Sequence, residues 1–352
     1  MFERIPRVSI TAAVAAGLMT ISLMTISLTT AAGASQAATG TPAWQSVAAP
    51  KAFIDSPAFT SVTAVAASPS DAWIFAGTGA TPGKQRTTVL RRTGKSWSAG
   101  APKTLNAVVS TAVALRDNDV WAFGETTLAT GAIGRPYAAH DDGSTWSPVP
   151  FPLFGVDASA TSSSDVWVIG APAKESSPGV AVGITRFNGQ AWVATPLPDL
   201  GLTSKQVALA TGIVAASPSN VWADGVIEVP PATVTAIPRQ TPFLLHWNGT
   251  RWSKVTVPYS AQFAPSNGTI AQDGHGGVWL SVQGSGAKPP AALLHYRDGT
   301  WTRFSVPATR GDLDLPGVLA WIPGTRSVWG IGSEEPVTAA GDFDAVILKY
   351  GA

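Results

Sequence analysis

Beyond residue 60 the chain alternates short apolar runs with clusters of Gly, Asn, Asp, Ser and Pro, the punctuation of strands joined by turns. The apolar runs are four to nine residues long and many alternate, as half-buried strands require. Tryptophan gives the pattern a period. One Trp sits in Ser70-Asp71-Ala72-Trp73, Asn118-Asp119-Val120-Trp121, Ser164-Asp165-Val166-Trp167, Ser219-Asn220-Val221-Trp222, Gly276-Gly277-Val278-Trp279 and Arg326-Ser327-Val328-Trp329, at successive separations of 48, 46, 55, 57 and 50 residues. A second Trp lies three positions after a Gly at Trp97, Trp146, Trp192 and Trp252, and one position closer at Trp301. A repeat of this length predicts a stacked or radial array. Each unit reads as four strands: an apolar run such as residues 62–67, the Val-Trp strand, a run ending in His or Arg plus an aromatic, and the Gly-x-x-Trp strand.

Six tryptophans of the first kind are followed by only five of the second. The sixth is Trp44, at the other end of the repeat region, while the last unit stops at residues 348–352, where its third strand should turn into a fourth. Residues 44–48 supply the missing strand, which closes a ring and removes the open edges of a linear stack. The expected fold is all-β, a six-bladed β-propeller of four-stranded antiparallel blades, and residues 38–352 form one domain because a single unit is too small to fold alone. In such a ring the first-to-second and third-to-fourth strand turns share one face and are short here. The connections on the other face are long and dissimilar, as at residues 125–136, 174–180, 228–241 and 333–342, and a ligand is expected there.

Residues 1–7 are short and basic, residues 8–32 are apolar, and Ala34-Ser35-Gln36-Ala37-Ala38 supplies small residues for cleavage after Ala37. This three-part pattern reads as a signal peptide over 1–37 and a secreted, extracellular chain. The apolar run is also long enough to span a bilayer, so an uncleaved anchor is the alternative. The formal charge is +1; removing Glu3, Arg4 and Arg7 leaves 21 basic and 21 acidic residues. A neutral chain lacks the basic footprint of a nucleic-acid binder. Zero Cys excludes disulfides, thiolate metal sites and a cysteine nucleophile.

The unit Asp165-Val-Trp-Val-Ile-Gly170 and the block Leu244-Leu-His-Trp-Asn-Gly-Thr-Arg-Trp252 resemble repeats of secreted bacterial propellers of actinobacterial type. Ala139-His140-Asp141-Asp142-Gly143-Ser144-Thr145-Trp146 is similar to the Asp-box, or BNR, repeat of sialidases and to kelch-like repeats. The resemblance covers nearly all of the chain beyond the leader and implies a propeller. It implies no activity, because the Asp-box is a turn motif away from the active site.

Candidate chemistry is sparse. The Arg-Ile-Pro tripeptide typical of sialidases occurs only at Arg4-Ile5-Pro6, inside the leader, and no phosphate loop, His-Glu-x-x-His or nucleophile elbow is present. His140, His246 and His295 each lie six residues before a second-type Trp, where other units hold Arg91, Arg186 and Lys349. The bland reading of this position is a cross-strand partner for a Trp; the functional one is a sugar pocket between blades, best at His246/Trp247 and His295/Tyr296. Trp247 and Trp321 stand outside both Trp series. Asp312, Asp314, Glu334, Glu335, Asp342 and Asp344 gather in the last unit, either as a solvated acidic patch or as a Ca2+ site. The chain is expected to be a monomeric, non-enzymatic binding protein for a glycan, an envelope component or an extracellular protein. The alternative is a carbohydrate-active enzyme, hydrolase or lyase, with two carboxylates over the central channel.

Overall fold

The computed structural model describes residues 61–350 except 69, 80–82, 95, 98–102, 175–178, 231–238, 259–262, 265–269, 285–291, 306–312, 323–324, 326 and 336–343. Among the described residues there is no helix; the chain is all-β, arranged in six antiparallel sheets in sequence order. The first sheet is Ser61–Ala66, Asp71–Thr78, Arg86–Thr93 and Ser96–Trp97, with Lys103–Leu105 added beside the third strand. The second is Val108–Arg116, Asp119–Thr127, Ile133–Asp141 and Trp146–Val149; the third is Leu153–Ser162, Asp165–Pro172, Gly183–Phe187 and Trp192–Ala194. The fourth is Val207–Ser217, Asn220–Val229, Arg239–Trp247 and Trp252–Val255, and Val180–Ala181 from the preceding unit pairs in parallel with its first strand. In the fifth, Phe263–Ala264 and Ile270–Gln272 pair with the two ends of Val278–Gly284 along one edge, and Ala292–Arg297 and then Thr300–Ser305 follow on the other. The sixth has three strands, Leu313–Trp321, Val328–Glu335 and Asp344–Tyr350. The leader and the proposed closing strand at residues 44–48 lie outside the described residues.

The sheets pack in chain order, first strand against first strand, as blades do around a propeller axis. Small polar side chains hold these inner strands together. Thr63 Oγ1 donates to Ser110 O (3.1 Å), Ser110 Oγ to Gly155 O (2.5 Å), and Ser159 Oγ accepts from Ala215 N (3.0 Å). Each bond crosses from one sheet to the next. A β-bulge recurs at the same place in the first strands of the second, third, fourth and sixth sheets, at Val109/Thr111, Gly155/Asp157, Ala210/Gly212 and Pro316/Val318. Such bulges increase local twist, which suits strands radiating from an axis.

The hairpin turns explain the Gly before each second-type Trp. Asp142 Oδ1 accepts from Ser144 N and Thr145 N, Asn188 Oδ1 from Gln190 N and Ala191 N, and Asn248 Oδ1 from Thr250 N and Arg251 N. The following Gly143, Gly189 and Gly249 hold φ of 92°, 91° and 97°, a conformation that favours glycine. A hydrogen bond from Ser144 Oγ (2.7 Å), together with those from the Ser144 and Thr145 N–H groups, holds the exposed Asp142 carboxyl down at about 2. Asp142 stands in the Asp-box-like segment, and here its role is to form a turn. In the fifth sheet Asp298 and Gly299 both take positive φ (49° and 80°) between paired Arg297 and Thr300, a two-residue hairpin of type I′. That is why Trp301 comes one position early.

The core lies between sheets. Second-type tryptophans pack on the preceding sheet: Trp146 on Phe75 (5.6 Å), Trp192 on Trp121 and Phe123 (5.3 and 5.5 Å), Trp252 on Trp167 (5.8 Å). Edge-to-face contacts dominate, as ring quadrupoles prefer. Trp247 is not a stray. With Phe187, Tyr296 and Tyr350 it forms a third aromatic series at the end of the third strand, packing on Trp167, Trp121, Trp222 and Trp279 of the preceding sheets respectively. The sequence shows an aromatic at this position of the unit, but Trp247 stands outside both Trp series because the other members of its own are Phe and Tyr.

Candidate functional site

Every first-type Trp lies directly opposite the basic position of the third strand: Trp73 and Arg91, Trp121 and His140, Trp167 and Arg186, Trp222 and His246, Trp279 and His295, Trp329 and Lys349. Directly opposed residues of antiparallel strands share a sheet face, which brings the ring and an imidazole or guanidinium together in the first five sheets. His140, His246 and His295 stack on their tryptophans at 4.3, 4.1 and 4.1 Å, and Arg91 and Arg186 sit 5.2 and 5.1 Å above theirs.

A third member completes the stack in the first five sheets, and the sequence alone did not assign it. Asp119 accepts from His140 (2.9 Å), Asp165 from Arg186 (2.6 Å), Asn220 from His246 (2.9 Å) and Asp273 from His295 (2.9 Å), and Asp71 lies 3.8 Å from Arg91. The signal was present: Asp or Asn stands two residues before Trp in four of the units. In the fifth, Asp273 reaches the same place across a longer turn, where His275 N and Gly277 N also donate to it. Burial opposes ionisation of Asp119, but bonds from His140 and Ser163 and the charges of His140 and Arg116 outweigh it, so its pKa is lowered. Asp273 is lowered in the same way, against burial, by His295 and the two backbone N–H groups. His246 faces a neutral amide, and burial lowers its pKa.

One of these stacks opens onto a cavity of about 370 Å3 between the second and third sheets. Its walls include Arg116, Asp119, Trp121, His140, Ser163 and Phe187. Arg116 bridges the sheets through Ser163 Oγ (2.5 Å) and lies 3.7 Å from Asp119. Trp121 is buried under His140, Phe187 and Trp192, so a guest would touch the half-buried His140 and Phe187 rings, not the indole face. The cavity sits beside the turns at 116–119, 163–164 and 188–191, on the side of the short turns. Of the long connections, where a ligand was expected, 125–136 is described, whereas 175–178, 231–238 and 336–342 lie outside the described residues.

The other expected site residues are distributed as follows. His246 lies on Trp222, and Trp247 is buried against Trp167 and Trp252. His295 lies on Trp279, and Tyr296 packs between Trp222 and Trp301. The pairs His246/Trp247 and His295/Tyr296 therefore point to opposite sides of their sheets. In the last sheet, backbone register aligns Asp314 with Glu334 and Glu334 with Asp344, and Glu335 with Leu313. Asp312 and Asp342 lie outside the described residues. Among the described residues no group of three His, Asp or Glu converges as for a metal ion.

No family model matches the chain, and no curated protein does. Solved β-propellers resemble it. A fungal lectin from Aleuria aurantia, described as a six-bladed propeller with a novel mode of fucose recognition, aligns at 13% identity over 82% of this chain and 95% of its own, with a TM-score of 0.45. An ancestral GH74 enzyme aligns at 11% identity over 80% of this chain and 37% of its own, TM-score 0.49. A protein of unknown function from Dyadobacter fermentans aligns at 12% identity over 81% and 92%, TM-score 0.47.

Proposed function

We propose that the chain is a secreted six-bladed β-propeller, closed by residues 44–48, that binds a small hydroxyl-bearing ligand such as a glycan terminus between its second and third blades. The single observation that carries this reading is the cavity beside His140. Its volume falls within the roughly 300–1,000 Å3 of small-molecule sites. Its walls combine two half-buried rings, a guanidinium, a carboxylate and a hydroxyl, which suits a ligand with apolar C–H faces and a rim of hydroxyl groups. The acid–imidazole pair is committed to a stack repeated in other blades, so it serves as scaffold and specificity wall, not as catalyst. Ligand on the long-connection face, the earlier expectation, is the competing location.

The test is a glycan array with the chain lacking residues 1–37, alongside Arg116→Ala and Phe187→Ala. Binding lost in both variants supports the cavity. Binding retained in both moves the site to the other face, and no binding by the parent chain removes the glycan reading. Amino-terminal sequencing of secreted material should begin at Ala38; retention of residues 1–37 would instead make the leader an anchor.

The enzymatic alternative draws on one observation, the carboxyls of Asp157 on the first strand of the third sheet and Asp224 on the second strand of the fourth. Asp224 is only 3% exposed, so it is closed to a substrate arriving from solvent.

A further inference from the structure

Superimposing the repeats on their first-type Trp exposes two residues that break the pattern together. Two positions after that Trp, the first three sheets carry Phe75, Phe123 and Ile169, all fully buried; the fourth carries Asp224. On the first strand, two positions before the residue opposite that Trp, the first two sheets carry buried Thr63 and Thr111, and the third carries Asp157. The two substitutions meet at the boundary of the third and fourth sheets. A Cβ placed on Gly212 would lie 2.8 Å from Asp224 Oδ1 and 3.5 Å from Asp157 Oδ2, with Ile270 Cγ2 closing the far side at 2.6 Å. Gly212 occupies the position of Thr63, Thr111 and Asp157, so the one bare residue of this row lies between the two carboxyls.

Asp157 is partly satisfied: its Oδ2 accepts from Ile213 N and its Oδ1 from Ala158 N, each at 2.9 Å. Asp224 is not. Its Oδ1 is buried without a hydrogen-bond partner, and so are the hydroxyls of Thr211 and Thr111, which face Asp224 and Asp157 without closing a well-formed bond. Neither carboxyl makes a salt bridge among the described residues. Burial pushes each up to about 7, and for Asp224 the charge of Asp157 adds to the push. Orphaned oxygens at such depth need an explanation.

From this juxtaposition we infer that Asp157 and Asp224, with the Thr111 and Thr211 hydroxyls, hold a divalent hard cation such as Ca2+ between the third and fourth sheets. Two carboxylates neutralise its charge, and oxygen-only donors match its preference, with water completing the shell. The cation clamps the third sheet to the fourth at the one inner contact where a carboxylate, not a neutral hydroxyl, makes the crossing. This site is separate from the acidic row of the sixth sheet and independent of the cavity beside His140.

The experiment uses the full chain purified in calcium-containing buffer. Elemental analysis after desalting should find about one Ca2+ per chain. Stripping with EDTA should lower Tm, and CaCl2 at a hundredfold excess over Kd should restore about 4 °C. Asp224→Asn keeps the shape and should abolish both the bound metal and the Tm response, as should Asp157→Thr, which copies the other blades and guards against misfolding of the first variant. The double variant Asp314→Asn/Glu334→Gln should keep the response. Absence of metal and of any Tm shift with Ca2+ or Mg2+ in the parent chain overturns the site, because the pair then holds a proton. A response that survives Asp157→Thr and Asp224→Asn but disappears in the double variant overturns it too and moves the cation to the sixth sheet.

Discussion

Two neighbouring interfaces built from the same repeat end in opposite states. Between the third and fourth sheets, Trp167, Trp247 and Trp252 close a dry cluster with mutual centroid distances of 5.4–5.8 Å, and Trp167 is 0% exposed. Between the second and third, Trp121 meets Phe187 and Trp192, and a cavity of about 370 Å3 opens beside His140. Both interfaces stack a side chain on the first-type Trp. They differ in several side chains: His140 stands where the next sheet has Arg186, Arg116 where it has Ser162, and the single ring of Phe187 where the following sheet has the indole of Trp247. Side chains at equivalent positions of the repeat therefore decide between core and pocket.

The largest effect should come from the dry interface. Trp167→Ala removes a fully buried indole that contacts two others and should cost about 3–5 kcal/mol, read by urea denaturation. Trp329 holds the same repeat position but is 39% exposed, so Trp329→Ala should cost about 1 kcal/mol or less. Equal losses would mean that the sixth sheet is packed as tightly as the third. Next comes the second sheet's other end. Burial raises the Glu125 carboxyl to about 7, above its unfolded value, so the folded chain keeps a proton that the unfolded chain releases. Stability from this group is full below about pH 4.5 and falls as pH rises towards 7. Glu125→Gln should flatten that limb and gain on the order of 2 kcal/mol at pH 8; an unchanged slope between pH 5 and 7 would show that Glu125 is ionised in the fold.

Exchanging two of these residues tests the comparison itself. Phe187→Trp should narrow the cavity and weaken ligand binding by tenfold or more, with stability changed by about 1 kcal/mol. Trp247→Phe should cost about 1–2 kcal/mol and open space beside Arg186. If Phe187→Trp leaves binding intact, ring size does not set the pocket.

The sheets and their order were legible because apolar alternation and Trp spacing report burial, which is what the repeat conserves in its own copies. Trp73, Trp121, Trp167, Trp222, Trp279 and Trp329 all fall on second strands, and Trp97, Trp146, Trp192, Trp252 and Trp301 all begin or lie in fourth strands. The site was less legible. The Asp119–His140–Trp121 stack joins three strand positions that are distant in sequence, and only register brings them together. Attention to the six acids of the last unit, conspicuous by number, passed over Asp157 and Asp224, which are conspicuous only by position. A single Asp in an apolar strand reads as noise until its repeat equivalents, Ile169 and Thr111, are set beside it.

The smallest expected effect separates the stacks from their surroundings at acid pH. Asp119 has a pKa lowered below its unfolded value, so its contribution is present above about pH 4 and is lost as pH falls through the folded value. It lies in the same sheet as Glu125, whose contribution runs the other way, so the second sheet should be most stable near pH 4–5. Asp119→Asn keeps a hydrogen-bond acceptor for His140 but removes the charge. It copies the arrangement at Asn220 and His246, where the stack stands without a carboxylate. The variant should therefore fold normally, lose roughly 1 kcal/mol at pH 6 and almost nothing at pH 3. A deficit of equal size at both pH values would show that the carboxylate charge is idle and that geometry alone holds the imidazole over Trp121.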